Sequence, residues 1–276
     1  QLIISKVNKI NKKNTGSLID AAKAIMTTDT YPKTSIKKVN FNNNSFKIYG
    51  FAKGSGMIHP NMGTMLVYIF IEANVPKSIL KKLLIKNVEN TFNAISTDGD
   101  TSTSDTLALF SLNKIQINLK NKKNLASLNK NLLDLMNDLS LKVIKDGEGL
   151  SKLIKLNILG SKSKHEAKKI GFSIINSPLV KTAISGEDAN WGRIIAAIGK
   201  SQVKLNQNKI IIFFGNNKVC QQGSVYKKIN LAKLNKYMKN KVIEISVNLN
   251  KGNINHTMYG NDLTHEYIRI NAEYRS

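Results

Sequence analysis

The stretch Lys53-Gly54-Ser55-Gly56-Met57-Ile58-His59-Pro60-Asn61-Met62-Gly63-Thr64-Met65-Leu66-Val67-Tyr68-Ile69-Phe70-Ile71 decides how the rest of the chain is read. It opens as a glycine-rich loop. From Thr64 it becomes a near-continuous apolar run, too short for a typical helix and rich in strand formers, which predicts a strand buried on both faces. Just upstream, 45–52 alternates as a second strand and feeds the loop. Thr64 therefore stands at the mouth of a buried strand. Gly63 removes the Cβ before it, so the 63–64 peptide can adopt a strained geometry in which the hydroxyl reaches the preceding carbonyl. Attack there would cut the backbone and leave Thr64 as a new N-terminal residue with both a hydroxyl and a free α-amine. A threonine hydroxyl is a weak nucleophile until a base takes its proton, and an N-terminal amine on the same residue is one such base. Its ordinary pKa of about 7.7–8.0 leaves part of it neutral near physiological pH.

Outward from this loop, Ser17 and Asp20 frame an N-capped short helix that ends in the polar turn 27–30 and Pro32. Helical spacing recurs over 79–88 and 125–144, and shorter helices are predicted over 164–175, 191–198 and 229–238. Further strands are predicted over 114–119, 152–159, 209–214, 241–249 and 266–271. The mixed order, without a regular βαβ repeat, predicts an α/β protein built as an α+β layered sandwich. Gly160-Ser161 breaks the pattern. The expected division is a nucleophile-bearing layered domain over 1–158 and a smaller C-terminal α/β domain over 159–276.

Composition excludes several classes. The 276 residues, 41 % of them hydrophobic, suffice for one or two globular units and match neither a disordered tail nor a coiled coil. With 42 basic and 18 acidic residues the net charge is +24, a balance that raises nucleic acid or an anionic surface as a partner. The lysines are spread through Asn- and Ile-rich stretches such as 114–130, with no recognition-helix, zinc-finger or single-strand-binding signature, so the charge is read as compositional. No nucleic-acid or membrane partner is expected. The single Cys220 forms no internal disulfide and no thiolate pair for zinc. The longest apolar stretch, 65–71, is far below the roughly 20 residues of a membrane span, and a cytoplasmic protein is expected. Gly199-Lys200-Ser201 resembles the end of a phosphate-binding loop, but Ile194 stands where its first glycine belongs. His59, His165, His256 and His265 show no metal-ligand spacing, so no metal is expected.

The segment from Lys53 to Leu66 resembles the autocleavage motif of the ornithine acetyltransferases, the bifunctional glutamate N-acetyltransferase and amino-acid acetyltransferase family of arginine biosynthesis. Further segments agree in the same order: 22–30, the Thr-rich 98–106, Asp146-Gly147-Glu148-Gly149, 188–193 and the ending 267–276. The resemblance implies an autoprocessed N-terminal-threonine nucleophile enzyme that cuts itself at Gly63-Thr64. An α chain ending at 63 and a β chain from 64 then stay associated as α2β2, with the C-terminal tail returning to the active site. It implies that Thr64 takes an acetyl group from N2-acetylornithine and passes it to glutamate, a ping-pong sequence without metal or cofactor, with acetyl-CoA as a further donor in bifunctional members. Carried over position by position, the substrate contacts fall on Thr27, Lys53, Thr64, Glu148, Asn271 and Ser276. Lys53 suits an α-carboxylate, Glu148 an ammonium group, and Thr27, Asn271 and Ser276 the orientation of a zwitterion. The segment 98–106 is expected to support the cut loop.

The chain also departs from the family. The family's Thr-Gly pair, which forms its oxyanion hole, lies well before the cut. Thr15-Gly16 stands too close to the cut and is read as a turn leading into the first helix. The expectation is a fragment without its main oxyanion donors and, on its own, without activity; one such donor is worth about 10²–10³ in rate. Gly63 replaces the more usual alanine, and Ser276 the more usual threonine. Two other readings compete: an N-terminal-nucleophile aminopeptidase of similar architecture, which passes the acyl group to water, and a basic nucleic-acid-binding protein resting on charge alone.

Overall fold

The computed structural model describes residues 16–41, 44–59, 65–101 and 105–274. In chain order the elements are α1 (Leu18–Ala24), β1 (Lys33–Phe41), β2 (Asn44–Lys53), β3 (Leu66–Ala73), α2 (Lys77–Val88), β4 (Ile95–Ser96), β5 (Thr106–Ile115) and α3 (Lys122–Ile144). There follow β6 (Leu153–Ser161), α4 (Lys164–Ile175), α5 (Pro178–Ser185), α6 (Trp191–Lys200), β7 (Ile211–Phe214), β8 (Asn217–Gln221) and β9 (Ser224–Val225). The chain closes with α7 (Leu231–Met238), β10 (Val242–Asn248), β11 (Ile254–Asn261) and α8 (His265–Glu273). The class is mixed α/β, as expected.

Two sheets organise it. The first has the order β1-β2-β3-β5, antiparallel except for the parallel pair β3 and β5. The second has the order β4-β11-β6-β10-β7-β8-β9. The long helix α3, N-capped by Asn121, lays Leu128, Leu132, Leu135, Leu139 and Val143 in one stripe against Val39, Phe46, Ile48, Val67, Ile69 and Ile71 of the first sheet. A second core forms where α4 and α6 cover β6, β10 and β11, with Ile154, Leu156, Ile170, Ile174, Ile245 and Met258 all buried. The expected division after 158 falls inside β6. The two cores part at the start of that strand, Leu153 packing in the first and Ile154 in the second.

Four expectations need correction. Residues 266–271 are helical, not a strand: Thr264 caps the Tyr267 N–H, and Arg269 pairs with Glu266 and Glu273 one turn to either side. The strand expected over 114–119 lies earlier, as β5, because its pairing with β3 is set by Leu66 opposite Thr106. Ile117 and Leu119 still pack against the core, but from the connection to α3. The strand β3 is buried on one face only. Val67, Ile69 and Ile71 are fully covered, whereas Tyr68 and Phe70 face outward, half-buried. That face carries stacked aromatics, Tyr49 on Phe70 at 5.6 Å and Phe70 on Phe110 at 5.1 Å between centroids, which shield one another in place of a covering layer. Finally, β1 and β11 were not expected at all, because Lys33, Ser35 and His256 occupy buried positions and hide the two-residue alternation.

Lys33 explains how β1 begins. Its ammonium is wholly buried between two carboxylates, 2.5 Å from Asp29 and 2.6 Å from Asp146. Asp29 also accepts the Gly54 N–H at 2.7 Å and the Thr27 N–H at 3.2 Å. Asp146 accepts the Thr30 N–H at 3.0 Å and the Thr30 hydroxyl. Burial alone would raise the Asp29 carboxyl. The Gly54 N–H and the Lys33 ammonium outweigh it and hold that carboxyl below its ordinary value. One lysine thus ties the 27–30 turn, the end of β2 and the turn after α3 into one body. Lys33→Met would leave both carboxylates unpaired, and denaturant unfolding should show a loss of about 3–5 kcal/mol; a loss below about 1 kcal/mol would remove this role. Because the folded Asp29 value is depressed, its stabilisation is complete above the ordinary carboxylate range near pH 4 and fades as pH falls through the folded value.

Candidate active site

The tied turns converge on a cavity of about 130 Å³. Thr27 and Thr28 come from the turn after α1, Lys53 to Met57 from the end of β2 and its loop, Glu148 from the turn after α3, and Ile270, Asn271 and Tyr274 from α8 and its C-cap. Four of the expected substrate residues, Thr27, Lys53, Glu148 and Asn271, therefore line one space. Gly63, Thr64 and Ser276, which complete the expected set, lie outside the described residues.

Lys53 is the last residue of β2 and only 7 % exposed, so its charge is delivered to the cavity from a sheet. Its Nζ donates to the Thr27 hydroxyl at 3.3 Å. On the other side the Asn271 amide donates to Glu148 Oε2 at 3.1 Å and to the Tyr267 carbonyl at 3.0 Å. The Glu148 N–H donates to the Ser55 carbonyl at 3.0 Å, which seats the turn on the glycine loop. Two glycines make this approach feasible. A Cβ on Gly56 would lie 2.4 Å from Glu148 Oε2, and one on Gly149, whose φ is +63°, would lie 2.2 Å from the Tyr267 nitrogen. A cation and an anion thus face one small cavity, with a hydroxyl and an amide beside them, an arrangement that suits a molecule carrying both a carboxylate and an ammonium group.

The flanks of the 60–64 stretch are held by one segment. On the incoming side, Met57 N–H donates to Asp98 at 2.7 Å, the Ile58 carbonyl accepts the Thr97 N–H at 2.8 Å and the Ser96 hydroxyl at 3.1 Å, and His59 Nδ1 lies 3.2 Å from the Ser96 hydroxyl. On the outgoing side, Met65 N–H donates to Asp105 at 2.6 Å, and the Met65 carbonyl accepts the Thr106 N–H at 3.0 Å. Lys181, buried behind this segment and pushed down to about 8 by burial, donates to the Thr97 carbonyl. Burial and the neighbouring Asp98 raise the Tyr267 phenol, which stays protonated and donates to Asp98 at 3.4 Å.

Reading the sequence alone did not single out Asp29, Lys33, Asp105, Ile270 or Tyr274. A signal was present for α8: Tyr267, Ile270, Asn271 and Tyr274 follow helical spacing behind the capping residue Thr264. None exists for the pairing of Lys33 with Asp146, which depends on a contact across 113 positions.

Residues 1–276 match the model of the ArgJ family. The chain is 42 % identical over 260 residues to the arginine biosynthesis bifunctional protein ArgJ of Gluconobacter oxydans, covering 93 % of this chain and 61 % of that protein. It is 43 % identical over 263 residues to the protein of the same name from Brucella melitensis, covering 93 % and 64 %. The chain thus spans about three fifths of the length of these relatives. The crystal structure of the arginine biosynthesis bifunctional protein argJ from Bacillus halodurans matches with a TM-score of 0.71 and 36 % identity, over 76 % of this chain and 100 % of that one. With a family match across all its residues, this level of identity and the shared fold, the chain belongs to the ArgJ family.

Proposed function

We propose that this chain is the catalytic part of an acetyltransferase of arginine biosynthesis, which cuts itself at Gly63-Thr64 and carries acetyl on the Thr64 hydroxyl. The convergence of Thr27, Lys53, Glu148 and Asn271 on one cavity, lined also by Gly54 to Met57, carries this reading. The names of the relatives support its place in arginine biosynthesis.

In the first step the Thr64 hydroxyl attacks the Gly63 carbonyl, the peptide C–N bond breaks, and an ester links Gly63 to the Thr64 oxygen. Water then hydrolyses the ester, leaving a carboxylate on Gly63 and a free amine on Thr64. In turnover that amine takes the hydroxyl proton as the oxygen attacks the acetyl carbonyl of N2-acetylornithine. The amide C–N bond breaks, the proton passes to the departing ornithine nitrogen, and an acetyl ester remains. The glutamate amine attacks this ester, forming N-acetylglutamate and returning the hydroxyl. Acetyl-CoA charges the same oxygen in a second entry route, with its thiol leaving. Lys53 holds the α-carboxylate shared by donor and acceptor, Glu148 receives the ammonium group of the ornithine side chain, and Thr27, Asn271 and Ser276 orient the backbone of the substrate. No metal or cofactor enters either half-reaction as written.

The sheet supports the proposal that the two products stay together. Lys53 pairs with Leu66 and Ile48 with Ile71 in the antiparallel ladder, so β2 and β3 lie side by side across the cut. Val39, Phe46 and Ile48 also share a core with Val67 and Ile69. The proposed assembly is α2β2 in the cytoplasm.

On a denaturing gel the complete polypeptide should give two chains, the second beginning at Thr64 by mass spectrometry, and both should elute as one species without denaturant. Thr64→Ala should remain a single chain and transfer no acetyl group; acetyl transfer by that variant would refute the mechanism, and release of acetate to water without glutamate would favour the aminopeptidase. Lys53→Ala should raise KM for N2-acetylornithine at least about tenfold, the worth of a charged hydrogen bond, with kcat little changed. In Gly56→Ala the nearest atoms the new Cβ meets are those of the Glu148 carboxylate, the far end of a flexible side chain, so Tm should hold while KM rises; unchanged kinetics would remove Glu148 from the substrate.

A further inference from the structure

The residue after the proposed nucleophile is pinned by a side chain that the reaction above does not use. The Asp105 carboxylate accepts the backbone N–H of Met65 at 2.6 Å, while the Met65 carbonyl accepts the N–H of Thr106 at 3.0 Å. Both backbone groups of Met65 are thereby engaged before β3 begins pairing with β5 at Leu66 and Thr106. The ladder alone would fix the strand. Asp105 fixes the peptide ahead of it.

That peptide matters because it is planar. The amide N–H of Met65 lies in one rigid unit with the carbonyl and the Cα of the residue before it, so a bond that orients this N–H also orients the preceding Cα. After the cut, Thr64 is a chain end joined to the protein only through this unit, and free termini are otherwise poorly ordered. A nucleophile that carries its own base needs both its oxygen and its nitrogen held.

From this geometry, and resting on the function proposed above, we propose that Asp105 is the positioning residue of the nucleophile, holding the Met65 peptide through which the new N-terminus is joined to the protein. The setting fits the task. Asp105 is half-buried, and Lys53 is the charged side chain that acts on it. Burial pushes its carboxyl up to about 6 against the opposing pull of the Met65 N–H and Lys53, so it is ionised and accepting at neutral pH. The same segment grips the incoming side of the loop through Ser96, Thr97 and Asp98, so one stretch of chain sets both flanks of the scission.

The test compares Asp105→Ala and Asp105→Leu, which remove the acceptor, with Asp105→Asn, which keeps an acceptor oxygen and drops the charge, all in the complete polypeptide and with thermal melting to confirm folding. Misplacing a reacting group by about 1 Å costs about 10²-fold in rate. Asp105→Ala should therefore slow both self-cleavage and kcat by about 10², with KM for N2-acetylornithine within about threefold of wild type. Asp105→Asn should stay within about tenfold of wild type, because the Met65 bond survives. Wild-type kcat in Asp105→Ala, a raised KM at unchanged kcat, or equal losses in the Asn and Ala variants would each overturn the assignment. Failure of both the Ala and Leu variants to fold would also overturn it, by making Asp105 a structural residue. A wild-type protein that neither cuts itself nor transfers acetyl would instead sink the proposed function.

Discussion

A single ammonium group, that of Lys33, sits out of reach of water between the carboxylates of Asp29 and Asp146, and the geometry of the cavity depends on it. Asp29 and Lys33 are four residues apart, at a turn and the start of β1, while Asp146 comes from the turn after α3, 113 positions from Lys33. Two buried carboxylates without a counter-ion would be strongly disfavoured. Around one lysine they become fixed acceptors for the backbone of Thr27, Thr30 and Gly54. Thr27, Lys53 and Glu148 each lie within two residues of a group so held. The charged residues that face the cavity are therefore seated on a buried charge cluster that lies outside its lining.

A different constraint governs the loop. Its two ends enter adjacent antiparallel strands at Lys53 and Leu66, so the loop spans a short distance with its ends already paired. A cut within such a loop leaves the ladder and the shared core intact. In the proposed reaction this separates two needs: scission creates the amine that serves as base, and sheet pairing keeps that amine where the loop left it. The anchoring at Asp98 and Asp105 adds what pairing cannot provide, which is orientation of the peptides next to the cut.

Much of this was legible in the sequence where local rules dominate. The capping box of Ser17 and Asp20, the stripe from Leu128 to Val143 and the apolar alternation of 45–52 all form the expected elements. The reading failed where a polar side chain occupies a core position. Lys33 and His256 broke the pattern of β1 and β11 because each is buried: Lys33 through its charge partners, and His256 as a neutral ring, its pKa pushed down to about 4 by burial. It failed again at 266–271, where Ile268 and Ile270 alternate with Arg269 as in a strand but the capping Thr264 and the Arg269 pairs select a helix. For the site, the resemblance to a family located Thr27, Lys53, Glu148 and Asn271, which composition and spacing left indistinguishable from ordinary surface residues. Asp105 and Asp98 lie in the segment 98–106 that was expected to support the cut loop, and they hold Met65 and Met57, whereas the Lys33 cluster is a tertiary feature that no local pattern announces.

The central claim is that the acetyl group rests on one oxygen between donor and acceptor. The most direct measurement is to trap the complete polypeptide with N2-acetylornithine carrying a labelled acetyl group, quench before glutamate is added, and locate the label by peptide mass spectrometry. The account predicts label on the hydroxyl of the residue at position 64, at the head of the second chain, discharged when glutamate is supplied. Label on any other residue, or its passage to glutamate without a labelled protein intermediate, would contradict it.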